Sequence, residues 1–398
     1  MGPPLESSFK LRELMAAHYL CGRYAEGAVP VAWVTSGAPV ELLRPYGFHV
    51  YYPENHAAIC AARHMTKDLC LAVEETGLSR DVCSYARSDI GGVIADRTPV
   101  GGLPRPDLLV ACTNICQTVM YWYKDLERRF NVPLFVLDTP FIYGEGRAHD
   151  EDYLVRQFEE LLALCERVSG RRVSEQEMAH GIETGRACSM AWRDVLELCR
   201  NRPAPMTAFD AFVHLAPVVS LRGEPGCLEY YHMLRDELAD RVAKGIGGIE
   251  NERHRLLWDN LPIWFMMRPL GRLFASEGFN FVVSTYTNAW AETAGLFDPK
   301  DPLRSGAAVY SKIILNRDLK HKRELILRLA RDYECDGVVM HSDRSCKPYS
   351  VGQYDLADLF TREHGLRTMV LEADHGDPRS YSAEQGELRV RAFMETFE

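Results

Sequence analysis

VPVAWVTSGAPVELLRPYGFHVYY, residues 29–52, decides the reading of the fold. An apolar run ends in the turn Ser36-Gly37-Ala38-Pro39, a short helix follows, and a second apolar run closes the stretch, which is the pattern strand, turn, helix, strand. The unit recurs downstream. PDLLVACTN (106–114) reads as a buried strand, CQTVMYWYKDLERRF (116–130) as a helix with one apolar face, and VPLFVLDTPF (132–141) as the next strand. Residues 1–150 therefore form an α/β lobe with a parallel sheet, whose functional loops belong at the carboxyl ends of the strands.

From 151 to 240 the period lengthens to that of helices, as in EDYLVRQFEELLALCERVSG (151–170) and ACSMAWRDVLELCRNR (187–202), with the loop NRPAPMTAFDAF (201–212) between helices. This segment is expected to be a helical connector. Strand and helix alternate again in FNFVVSTYT (279–287), ECDGVVMHSDRSC (334–346), GQYDLADLFTREHG (352–365) and TMVLEADH (368–375). The expected architecture is α/β, with two Rossmann-like parallel-sheet lobes, 1–150 and 241–398, joined by the helical segment 151–240. In each half a strand leads into a cysteine-bearing loop, which hints at two similar lobes.

The chain has 398 residues and a net charge of -10, against a broadly basic nucleic-acid surface. No apolar stretch is long enough to span a bilayer, and the amino-terminal residues carry charges where a secretory signal needs its apolar core, so the expected location is the cytoplasm. Twelve cysteines in that setting point to reduced thiols, some of them engaged in metal or redox chemistry. Cys21, Cys60, Cys70, Cys165, Cys188, Cys199 and Cys227 sit in helix-like contexts and read as packing residues.

Cys83, Cys116 and Cys346 differ. Each lies just past a strand or at the start of a helix, among small, polar and cationic residues that stabilise thiolates. Their spacing matches no compact ferredoxin or zinc pattern, so context leaves a metal site and plain packing both open. In CTNIC (112–116) either thiol is a candidate; Cys112 ends an apolar run, and Cys116 at the helix start is favoured. Cys335 begins its strand and would point to the wrong end of the sheet.

Ser36 and Glu54 both follow strands of the first lobe and could face one cleft, with His56 as an alternative proton donor. The competing reading makes Asn55 a helix cap with solvated neighbours. His341, Asp343, Arg344 and Lys347 flank Cys346 and suit either a cluster loop or an ordinary turn. Asp374, His375 and Asp377 read as a structural strand-end loop. Trp258, Trp264, Tyr286 and Trp290 are mostly core by expectation, with some available to line an apolar slot. No GxxxxGK[ST] run is present, so ATP is expected to bind elsewhere.

The segments TSGAPVE (35–41), YPENHAA (52–58), CSYARSDIG (83–91), TNICQT (113–118), HSDRSCKPYSVGQ (341–353) and EADHGDPRSYS (372–382) resemble the 2-hydroxyacyl-CoA dehydratase and benzoyl-CoA reductase subunits over nearly the whole chain. Within that family, the versions of CSYARSDIG, WDNLPIW (258–264) and HSDRSCKPYS most resemble the B-type subunit of ATP-dependent benzoyl-CoA reductase. The resemblance implies that Cys83, Cys116 and Cys346 hold a 4Fe-4S cluster between the lobes, its fourth iron open. It implies that Ser36 and Glu54 lie near an acyl-CoA substrate. The implied activity is low-potential one-electron reduction of an aromatic acyl-CoA, the alternative being dehydration of an (R)-2-hydroxyacyl-CoA through a ketyl radical. The implied partners are a homologous second subunit and an ATP-hydrolysing iron-sulfur activator. A non-catalytic metal-binding scaffold is the contrasting expectation.

Overall fold

Two four-stranded parallel sheets organise the chain. The computed structural model describes residues 2–24 and 26–398. In the first sheet β1 (Val31–Val34), β2 (His49–Tyr51), β3 (Leu108–Cys112) and β4 (Leu134–Leu137) lie in the order β2-β1-β3-β4. In the second, β5 (His254–Asp259), β6 (Phe279–Ser284), β7 (Gly337–Asp343) and β8 (Arg367–Ala373) lie in the order β6-β5-β7-β8. Each pairing is parallel. The second sheet repeats the topology of the first, so each lobe has a switch point between its first and third strands, where crossovers leave to opposite sides and a crevice opens.

Both lobes are α/β, as the alternating pattern requires, and β1, β3 and β6 are buried at every residue, the signature of strands covered on both faces. One strand escaped the sequence reading. HRLLWD, now β5, carries a charge at its second residue, yet Arg255 is fully buried because its Nη1 pairs with Glu252 at 3.1 Å and donates to the Asn201 carbonyl, while Nη2 donates to the Cys199 carbonyl.

The segment between the lobes is helical. Helix Ala148–Ser169 places Leu154, Phe158, Leu161 and Cys165 on one stripe, which packs against helix Pro302–Ser311. Helix Glu175–Glu197 starts in a capping box between Ser174 and Glu177. Helix Pro225–Lys244 packs on the amino-terminal helix Ser7–Tyr24, and Arg241 donates to the carbonyls of Pro3 and Pro4. The expected limits at 150 and 240 thus fall inside helices. The second half of the loop NRPAPMTAFDAF is also helical, since Thr207 caps Ala208–His214, and Phe209 and Phe212 join Trp258 and Phe281 in the core of the second lobe.

Cys60, Cys70, Cys165, Cys188, Cys199 and Cys227 are buried as expected for packing thiols. Cys21 is exposed, because it lies on the solvent side of the amino-terminal helix.

Candidate active site

Loops from the carboxyl ends of both sheets meet in one cleft of about 770 Å³. The first lobe contributes Ser36 after β1, Glu54 in helix Pro53–Ala62 after β2, Cys83 immediately before helix Ser84–Ala95, and Cys116 in the β3 loop. From the second lobe come Tyr286 and Trp290 in helix Thr285–Glu292 after β6, Cys346 after β7 and His375 after β8.

Ser36 and Glu54 are bonded to each other. The Ser36 amide donates to Oε1 and Oε2 of Glu54 at 3.2 and 3.0 Å, and its hydroxyl donates to Oε1 at 3.0 Å. Burial disfavours the carboxylate and outweighs these donors, which pushes the Glu54 pKa up to about 7. A carboxyl group so poised exchanges protons near neutrality. Asn55 is not a cap: its amide donates to Tyr19 Oη and Ser220 Oγ, and Tyr52 occupies the cap position.

The three cysteines come from three separate elements, and all line the cleft as free thiols. The amides of Thr118 and Val119 aim at Cys116 Sγ, and that of Tyr349 at Cys346 Sγ. Burial pushes the Cys116 thiol up to about 12 and holds Cys346 well above the ordinary thiol range. Thiols so disfavoured as bare anions become good ligands once a cation or cluster neutralises them. The three sulfurs do not all come within 4.8 Å of one another. Tetrahedral zinc, with Zn–S bonds of about 2.3 Å, would need them roughly 3.8 Å apart. Three converging thiols, wide spacing and amide donors fit a 4Fe-4S cluster better than a single ion.

Behind Cys83 stands a relay that the sequence reading took for an ordinary loop. His375 Nδ1 lies 2.6 Å from Asp343 Oδ2, while its Nε2 faces Ser84 Oγ at 2.9 Å and Cys83 Sγ at 3.8 Å. Burial opposes protonation of His375, yet Asp343 prevails and raises its pKa well above the usual histidine range. A cation beside Cys83 favours thiolate or cluster charge. The signal was a histidine between acids at the end of a strand, in EADHGD.

Asp377 lies deeper. Arg87 joins it to Glu74 through Nη1, at 2.9 and 2.6 Å, and Arg379 bonds the same two carboxylates. These guanidinium groups already satisfy the Glu74 and Asp377 carboxylates, so the cluster they form with Cys70 is an ion-pair network that ties helix Ser84–Ala95 to the second lobe.

Other candidates lie elsewhere. His56 is buried outside the cleft, with Nδ1 3.3 Å from Asp89 and Nε2 2.7 Å from Thr98 Oγ1. Burial works against its charge, but Asp89 and Cys60 raise its pKa to about 9, and the pair fastens one helix to another. Cys112 is buried in β3 beneath Thr35, and Cys335 is buried before the opposite end of β7. His341 bonds the Leu261 carbonyl at 2.7 Å in the core. Arg344 and Lys347 are exposed. Of the four aromatic residues, Tyr286 and Trp290 reach the cleft; Trp258 is core, and Trp264 donates its indole N–H to Tyr85 Oη behind the wall.

Residues 35–397 match the model of the family described as 2-hydroxyglutaryl-CoA dehydratase, D-component. The chain is 29% identical to the (R)-2-hydroxyisocaproyl-CoA dehydratase alpha subunit of Clostridioides difficile, over 100% of this chain and 98% of that one. It is 26% identical to the alpha subunit of (R)-2-hydroxyglutaryl-CoA dehydratase from Acidaminococcus fermentans, over 92% of each. Similarity to the B-type component of benzoyl-CoA reductase from Thauera aromatica is 28% identity over 98% of this chain and 94% of that one. With two matching sheets, a cleft between them and a family match from the β1 loop to the carboxyl terminus, the chain belongs to the 2-hydroxyglutaryl-CoA dehydratase D-component family, which includes 2-hydroxyacyl-CoA dehydratase and benzoyl-CoA reductase subunits.

Proposed function

We propose that this chain is the iron-sulfur subunit of an (R)-2-hydroxyacyl-CoA dehydratase, with a 4Fe-4S cluster on Cys83, Cys116 and Cys346 and with Glu54 as its base. The observation that carries this reading is the Ser36–Glu54 pair in the same cleft as the three thiols. A cluster held on these three thiolates would supply one electron at a time and a Lewis-acidic iron for a substrate oxygen. Dehydration also requires a proton to leave the β-carbon. Glu54, receiving both the N–H and the O–H of Ser36, is held as an acceptor and takes that proton. Tyr286, Trp290 and Tyr349 wall the cleft and limit water around the reacting carbons.

The relatives are named as alpha-type or B-type subunits, which implies a partner subunit. We assign as partners a homologous second subunit and an ATP-hydrolysing iron-sulfur activator, since this sequence has no phosphate-binding glycine loop of its own. Free thiols suit the reducing cytoplasm. Among the described residues no helix is long and apolar enough to cross a membrane.

A second reading, reduction of an aromatic acyl-CoA to a cyclic dienoyl-CoA, is favoured by the rings of Tyr286 and Trp290, which meet edge to face at 88° and give the cleft an aromatic wall for a flat substrate to pack on. There Glu54 would deliver a proton. Anaerobic assay with activator, ATP and partner separates the two: turnover of (R)-2-hydroxyacyl-CoA thioesters supports dehydration, and turnover of benzoyl-CoA alone overturns it. A chain that takes up no iron fits the scaffold reading and overturns both.

A further inference from the structure

A second cavity of about 670 Å³ opens off the cleft, and Ser36, Ile115, Tyr286, Trp290, Leu315 and Tyr349 line both. Beyond this shared wall its lining turns apolar, with Ala289, Phe297, Val309, Ile313 and Ile314. We propose that this cavity receives the acyl chain of the substrate and selects an uncharged hydrocarbon group, branched aliphatic or aryl, against one that ends in a carboxylate. The inference rests on the acyl-CoA reading above and adds the class of acyl group to it.

Position comes first. Ser36 sits at the junction and is bonded to Glu54, so a thioester whose reacting carbons lie beside Glu54 has its acyl chain at the mouth of the second cavity. The apolar lining stabilises a hydrocarbon group there. Burying an isobutyl or phenyl group is worth about 1.5–3 kcal/mol, or roughly 10- to 100-fold in affinity.

Charge decides the exclusion. Among the described residues the one cation lining this cavity is Arg222, and each of its three nitrogens already donates to a partner. Nε donates to Glu41 Oε1 at 2.6 Å, Nη1 to the Val218 carbonyl at 2.9 Å, and Nη2 to Tyr310 Oη at 3.2 Å. Tyr310 in turn donates to the other Glu41 oxygen. The pair has no room to open. Gly181 and Gly185 press helix Glu175–Glu197 onto Glu41 so closely that a Cβ would fall 2.5 Å from its carbonyl oxygen and 2.3 Å from its Cγ, respectively. An incoming carboxylate would therefore be buried beside an arginine whose charge Glu41 already balances, without a countercharge of its own.

The test is anaerobic calorimetry on the purified chain without activator, so that binding is read and no turnover occurs. The probes are isocaproyl-, benzoyl-, glutaryl- and acetyl-CoA, which share the CoA portion. The expected result is that isocaproyl-CoA, benzoyl-CoA or both bind roughly 10- to 100-fold tighter than acetyl-CoA, while glutaryl-CoA gains nothing. Their order distinguishes an aliphatic from an aryl preference. Ala289→Phe should fill the cavity and erase that advantage, and Thr293→Lys, at the rim, should raise glutaryl-CoA affinity. Glutaryl-CoA binding within about threefold of the tightest hydrocarbon thioester, or an advantage that survives Ala289→Phe, would overturn the pocket. If none of the four binds, the acyl-CoA reading itself fails and the pocket with it.

Discussion

The two sheets share one strand order and divide the work unequally. The first lobe brings two of the three cleft cysteines and the whole Ser36–Glu54 pair on short strands; the second brings one cysteine, the His375 relay and the aromatic wall on longer ones. The same topology aims both sets of loops at one crevice. On the proposed function the carboxyl acid-base group thus sits on one lobe and apolar shape largely on the other, and the three cysteines straddle the gap. An arrangement of this kind works only while the lobes are held in register.

Breaking the first lobe's share should have the largest effect. Glu54→Gln should lower turnover by about 100- to 10,000-fold, the usual worth of a positioned acid or base, with iron content retained. The pH profile sharpens the assignment. Because burial raises the Glu54 pKa to about 7, its basic form grows as pH rises through that value, so dehydration should climb with pH around neutrality and level off above. A rate that falls over the same range would mark Glu54 as a proton donor and favour aryl reduction. Glu54→Gln should abolish this limb in either case.

The register between the lobes comes next. Arg87 from the first lobe is buried against Asp377 of the second, and its loss leaves Arg379 as the remaining cation for two carboxylates. Arg87→Ala should cost about 3 kcal/mol in urea unfolding, the low end for breaking a buried pair. A change below about 1 kcal/mol would show that the network does not fasten the lobes. The smallest effect belongs to Arg344→Ala and Lys347→Ala beside Cys346, both exposed, which should shift stability by no more than about 0.5 kcal/mol. A large loss of affinity for acyl-CoA in either would instead place CoA phosphate on that loop.

Much of this was legible in residue order. The apolar runs around Ser36, Cys112 and Asp343 marked β1, β3 and β7, because parallel strands buried on both faces have no alternation to hide behind. β5 stayed hidden, since Arg255 near its start looks like a surface charge until Glu252 and two carbonyls are folded around it. The same limit applied to the site. Ser36, Glu54 and the three cysteines each carried a local signal, a strand end or a helix start. His56 carried the same signal and turned inward to Asp89, and His375 looked structural until folding set it against Cys83. Which side of a helix faces a cleft depends on packing partners far away in sequence.

The most direct test of the central claim, one cluster held by both lobes, is iron and sulfide content after anaerobic reconstitution. About four of each per chain are expected in the natural protein. Most of that iron should be lost in Cys83→Ala, Cys116→Ala and Cys346→Ala and fully retained in Cys112→Ala, whose thiol is buried in β3. Full retention in Cys346→Ala, or loss in Cys112→Ala equal to that in Cys116→Ala, would contradict the claim.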